Sequence, residues 1–212
     1  MILLPLVCTS AAALLPVLFE FGALRLVHVS PLLPPIVAAL IPGATPGNNT
    51  INLTDPSVNG ANGSAIFASS ASPTDITVAG SSVLNGSDGN VLHVGPGSTA
   101  NFNVIASNLQ GNVTSDDRLG ANVSLTNGAT LTGSLIRVGD VSVSNGAAWN
   151  LTQSNTIGSL SLNGGTVVLD TGVDKTLTIA GNLSGQGTFA IHTDLGDVHG
   201  DLIDVQGSAS GQ

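Results

Sequence analysis

The chain has 212 residues, with 4 basic side chains against 13 acidic ones and a formal net charge of −9, so it lacks the electrostatic footprint of a nucleic-acid binder. Only 8% of residues are charged and 3% aromatic, tyrosine is absent and glycine numbers 27, which leaves too few bulky side chains for a thick globular core. The single cysteine, Cys8, excludes an internal disulfide framework, and the length suits one elongated domain with an N-terminal appendage.

Residues 1–42 are apolar and interrupted by Pro5, Pro16, Pro31, Pro34, Pro35 and Pro42. No lysine or arginine precedes the apolar stretch, which argues against a signal peptide. Glu20, Arg25 and His28, followed by the prolines, argue against a spanning helix. Val7 stands where a lipoprotein signal wants a small residue before Cys8. The segment is read as not a native part of the folded module, with a weak export or membrane segment as the alternative. Beyond Pro42 no apolar run approaches membrane-spanning length.

From Gly43 the composition shifts to Asn, Gly, Ser, Thr and Pro. Short strand candidates lie between turn clusters at Ile51–Asp55, Ser64–Ser70, Asp75–Gly80, Ser82–Asn90, Val91–Gly97 and Ala100–Ser107. They read as irregular early coils without a clear phase. After them a repeat becomes visible. VSLTNG begins at Val123, VSVSNG at Val141, LSLNGG at Leu160 and LTIAGN at Leu177, at spacings of about 18, 19 and 17 residues. A unit of this size cannot bury its apolar side alone and must stack on a neighbour. At roughly 3.3 Å per extended residue, about 18 residues trace a closed coil some 60 Å around, enough for three short strands and three turns.

Asn-Gly pairs at Asn127, Asn145 and Asn163 recur with the same period. Both residue types tolerate positive φ, so each pair is expected at a tight corner, with the asparagines stacked as a hydrogen-bonded ladder. Trp149, the only tryptophan, is read as a packing residue of the coil stack. Toward the C-terminus, Leu177, Ile179 and Leu183 alternate with polar or small residues, a Gly-rich corner is expected at Gly181–Gly187, and Phe189 and Ile191 alternate again. A polar loop from Thr193 to Asp201 and an apolar close at Leu202, Ile203 and Val205 complete a strand, turn, strand, loop, strand unit. The fold class expected is all-β, a right-handed parallel β-helix with a poorly structured or non-native apolar N-terminal segment. Residues 43–212 form the solenoid.

Residues that could carry chemistry are few. His192, Asp194, Asp197, His199, Asp201 and Asp204 concentrate ligand-type side chains, but a metal needs three or four that converge, and calcium-binding nonapeptide repeats are absent. No GxSxG elbow occurs. Asp116 and Asp117 are adjacent, so in a strand they point to opposite faces and do not make a glycosidase pair. Asn-x-Ser/Thr sequons at Asn112, Asn122, Asn150 and Asn182 read as turn composition rather than glycosylation sites. No catalytic, cofactor-binding or metal residue is assigned.

The stretches GAAWNLTQSNTIGSLSLNGGTVVLDTG (146–172) and KTLTIAGNLSGQGTFAIHTDLGDVHGDLIDVQGSASG (175–211) resemble the C-terminal end of a pertactin-like autotransporter passenger. The order of the elements and the terminal Asp-apolar-apolar-Asp-Val-x-Gly pattern from Asp201 to Gly207 carry the likeness. The resemblance implies a secreted or surface-displayed bacterial passenger, adhesin-type and non-enzymatic, with residues 175–212 as an autochaperone-like unit. Trp149, Leu177, Ile179, Leu183, Phe189, Ile191, Leu202, Ile203 and Val205 would form its folding nucleus, with Phe189 and Ile191 read as buried sites. The partners implied are an outer-membrane β-barrel translocator, expected beyond Gln212, and a host-surface or matrix receptor or a second copy of the protein. Two rival readings are a carbohydrate-active β-helix enzyme and a structural, self-associating surface repeat protein.

Overall fold

The computed structural model describes residues 48–169, 172–196 and 199–211 together with the backbone of Ile36–Ala39. It is an all-β parallel solenoid of about 7 turns. Its spine is an 11-stranded sheet in which Asn49–Thr54, Thr74–Ala79, Ala100–Ile105, Ala121–Thr126, Val138–Ser144, Ser159–Val168 and Leu183–Ala190 lie one on the next. A second face stacks Ile36–Ala39, Ile66–Ser69, Asn90–Val94, Asn112–Ser115 and Leu135–Ile136. Among the described residues every strand pairing is parallel except Thr193–Asp194 with His199–Gly200.

The period-two alternation of each strand sends one set of side chains inward, and the parallel register puts like on like. Ile51, Ile76, Phe102, Val123, Val141, Leu160 and Leu183 form one inward ladder. Leu53, Val78, Val104, Leu125, Val143 and Leu162 form a second beside it. A third runs Leu109, Leu131, Trp149, Val167, Phe189. Here Trp149 is fully buried, and its indole Nε1–H donates to the Gly133 carbonyl at 3.0 Å. A narrow aliphatic column therefore serves as the core, which is why so aromatic-poor a chain can fold.

The early coils are more regular than their sequence suggested. Asn49–Thr54, Thr74–Ala79 and Ala100–Ile105 pair residue for residue without a register shift. Their turns are longer than those after Val123, and that hid the phase. Ile36–Ala39, inside the segment read as external to the module, pairs in parallel with Ile66–Ser69. Residues 1–35 and 40–47, with Cys8 and all six of the prolines named above, lie outside the described residues.

Three details of the repeat differ from expectation. Val123, Val141 and Leu160 do stack, but the next rung is Leu183; Leu177 pairs with Asn155 and Ile203 on another sheet. Spacing alone could not separate two strands of one long coil that share an apolar-polar-apolar pattern. Second, the Gly-rich stretch after Gly181 is not a corner but part of one strand, Leu183–Ala190. Gly185, at φ 92°, lies where a Cβ would sit 1.9 Å from the Leu162 carbonyl oxygen, so glycine here marks close backbone approach. Third, Asn127 and Asn145 hold corners at φ 56° and 52°, with Asn145 Nδ2 donating to Asn127 Oδ1 at 3.4 Å. Asn163 instead lies within the strand Ser159–Val168, and the positive φ falls on Gly164.

Turns are fastened by side chains. Asp88 accepts from the Ser64 hydroxyl at 2.7 Å and from the backbone N–H and side-chain amide of Asn90, both at 2.9 Å. Partial burial raises its pKa, but these hydrogen bonds outweigh it and hold the carboxyl below the usual carboxylate range. A depressed native pKa adds stability that is present above the unfolded value and lost as pH falls through the native one. Urea midpoints of the native chain and Asp88→Asn should therefore differ at pH 7, and the gap should narrow as the pH falls below the usual carboxylate range.

Candidate functional surfaces

Two regions concentrate polar chemistry, the outward face of the long sheet and the C-terminal unit. On the sheet, Asp75, Asn101, Asn122 and Asp140 stand one residue ahead of the inward ladder positions Ile76, Phe102, Val123 and Val141. Asn101 Nδ2 donates to Asp75 Oδ1 at 2.7 Å, Asn122 Nδ2 to Asn101 Oδ1 at 3.1 Å, and the Asp140 N–H to Asn122 Oδ1 at 3.0 Å. Asn103, Ser124, Ser142, Ser161 and Ser184 flank them, and together they line a shallow groove of about 650 Å³. The recurring polar-apolar-polar-apolar opening DITV, NFNV, NVSL, DVSV, SLSL was the sequence signal for this face.

The groove can offer amides and hydroxyls to a ligand, but not a pair of cooperating carboxylates. Asp75 and Asp140 are three strands apart, about 14 Å at roughly 4.8 Å per strand. Glycoside hydrolysis needs its two carboxyls within about 5–9.5 Å. Asp116 and Asp117 are likewise committed, the first to His93 Nε2 at 3.1 Å and the second to the Gly97 N–H at 2.6 Å.

The C-terminal unit gathers most of the residues named as a nucleus. Leu177 and Ile179 are fully buried, and Leu183, Phe189, Ile203 and Val205 are half-buried and packed against the core. Ile191 and Leu202 depart from the expected burial, at 48% and 55% exposed. The period-two pattern placed them on the apolar side, but among the described residues no coil covers that end of the stack. Ile191→Asp should consequently shift the denaturation midpoint far less than Phe189→Asp, since Phe189 pairs in register with Val167 and packs against the core.

The histidine and aspartate cluster is tied up in local structure. Asp174 reaches His199 Nδ1 at 3.1 Å and His192 Nδ1 at 3.7 Å. Asp194 Oδ1 accepts the Gly196 N–H and Asp204 Oδ2 accepts from Gln206 Nε2. One oxygen of Asp201 takes the Lys175 N–H and the other the His192 N–H, both at 2.7 Å. Among the described residues no three His, Cys, Asp or Glu side chains are grouped so as to hold a metal ion. Asp197 lies outside them.

Residues 157–212 match the family model described as Pertactin. The C-terminal part of the chain is pertactin-like. The match begins at Ile157, on the last residue of Asn155–Ile157, and runs through the whole unit just described. The autotransporter adhesin/invasin TibA of Escherichia coli O78:H11 (strain H10407 / ETEC) is 34% identical over 115 residues, covering 49% of this chain and 12% of TibA. Autotransporter CRAC of Citrobacter rodentium (strain ICC168) is 32% identical over 115 residues, 49% of this chain and 7% of its own length. No solved structure matches. The chain thus spans about a tenth or less of the length of these relatives, and its likeness to them is a likeness to one stretch of each.

Proposed function

We propose that the chain is passenger material of a bacterial autotransporter, displayed on the cell surface or released from it, adhesin-type and without catalytic activity, whose C-terminal coils nucleate folding during passage across the outer membrane. The observation that carries this reading is the coincidence of the pertactin match, residues 157–212, with the unit where Leu177 and Ile179 anchor the end of the stack. Each new coil adds to an existing edge without repeating the cost of nucleation, and stacking stops the chain from sliding back. A β-barrel translocator is the partner this process needs. TibA is named an adhesin/invasin, and the amide- and hydroxyl-lined sheet face is the surface we assign to receptor contact in this chain.

The test is a display experiment. Residues 36–211 are fused ahead of an autotransporter barrel, and surface exposure is scored by protease accessibility on intact cells. Leu177→Asp should cut display severalfold, whereas Ile76→Asp, equally buried but in an early coil, should leave the C-terminal region displayed. Equal loss from both would sink the nucleation reading. Release of reducing sugar from acidic polysaccharide by the purified chain would overturn the non-enzymatic one.

A further inference from the structure

In a solenoid the N–H groups of one coil are satisfied by the next. Near the C-terminal end of the described stack a single side chain takes that role for two of them. The Asp201 carboxylate accepts the Lys175 N–H with one oxygen and the His192 N–H with the other, both at 2.7 Å. The Asp201 N–H returns to the His192 carbonyl at 2.9 Å, and the Leu202 N–H to the Lys175 carbonyl at 2.8 Å. Four hydrogen bonds from two consecutive residues thereby tie together the entry to Thr176–Ile179, the exit from Leu183–Ala190 and the strand Leu202–Val205.

Among the other described residues, the inter-coil bonds of side-chain oxygens run to one backbone N–H at a time. Asp55 takes Ser81, Asn112 takes Ser134, Asn155 takes Leu135 and Asn182 takes Ser208. Accepting two N–H groups on separate oxygens requires a carboxyl group, since an amide offers one oxygen and two donors. Charge assistance shortens and strengthens both bonds. The loops they close are 26 and 9 residues long. The shorter is well below the 18 to 26 residues that separate successive rungs of the inward ladder, so its closure costs less entropy than adding a coil.

We infer that Asp201 is the positioning residue that starts the stack: its double acceptance forms in the rate-limiting step of folding and presents Leu177 and Ile179 as the edge on which further coils assemble. This rests on the nucleation reading above and goes beyond it by assigning the step to one carboxylate.

The experiment is refolding and unfolding of the full chain in guanidinium, followed by Trp149, the sole tryptophan. Asp201→Asn should slow refolding about tenfold and change the unfolding rate little, whereas Asp174→Asn, which removes only the imidazole contacts, should leave refolding as it was. A loss expressed entirely as faster unfolding makes Asp201 a late-forming cap and overturns the proposal. Ile179→Val separates the two claims. If it slows refolding and Asp201→Asn does not, the nucleus stands without Asp201; if neither does, the nucleation reading itself fails. Should Asp201→Asn not fold, native-state hydrogen exchange on the unaltered chain decides. The Lys175 and His192 amides exchanging with the slowest class supports the proposal, and exchange ahead of the amides of Ala100–Ile105 overturns it.

Discussion

Trp149→Ala is expected to lower the stability of the solenoid by about 3–5 kcal/mol, read as a drop in guanidinium midpoint by far-UV circular dichroism. The indole is fully buried between Leu131 and Val167, and coils above and below are fixed by their own ladders, so the space cannot collapse. Truncation also strips the Gly133 carbonyl of its indole donor, 3.0 Å away. Trp149→Phe separates the two contributions, since it keeps most of the packing and loses the hydrogen bond; about 1–2 kcal/mol is expected for it. Equal losses in the two variants would mean that the hydrogen bond, not the volume, fixes this coil. Against a typical domain stability of about 5–15 kcal/mol, the alanine variant forfeits a large share.

Gly133→Ala should be as damaging, by a different route. A Cβ there would lie 2.1 Å from the Gly111 carbonyl oxygen and 2.6 Å from its carbon. Both belong to the backbone of the coil beneath, and the Gly133 N–H is itself held by the Asn150 carbonyl of the coil above. Neither neighbour can yield without parting the stack, so the expected result is loss of the cooperative transition at the central coils. Gly128→Ala is the control. Its Cβ would meet nothing within 4 Å, and the cost is confined to a φ of 73°, about 1–2 kcal/mol. Size-exclusion profiles and melting curves of the pair distinguish close approach from conformational strain. If Gly128→Ala proves the worse variant, φ rather than contact governs the glycines of this fold.

Much of the architecture was legible because a solenoid writes its period into the chain. Val123, Val141 and Leu160 gave the repeat, the strand candidates from Ile51 to Ser107 fell on real strands, and the scarcity of aromatics pointed to a narrow core. What escaped was information that lives between coils. Leu177 and Leu183 both look like the next rung in sequence, and only pairing partners tell which is. Gly185 and Asn163 carried turn-type residues into strand interiors, the first where backbones come close and the second one residue ahead of the true bend at Gly164. Ile191 and Leu202 have the alternation of buried positions, but burial needs a covering layer, and local pattern does not reveal whether one exists. The polar face was hidden for the opposite reason. Its asparagines and serines are ordinary strand-surface residues singly, and become a ladder only when Asp75, Asn101 and Asn122 are brought into line by the register.

The backbone hydrogen bonds of this molecule run along its long axis, coil to coil. Tension applied between the two ends therefore loads them a coil at a time rather than all together, as in opening a zipper. A solenoid so built should lengthen under fluid drag in steps of about 60–85 Å, the contours of coils of 18 to 26 residues, dissipating work at each release, and re-coil from whichever end stays stacked. Pulling single molecules by their termini would record that staircase, with the last and hardest step at the end held by Asp201.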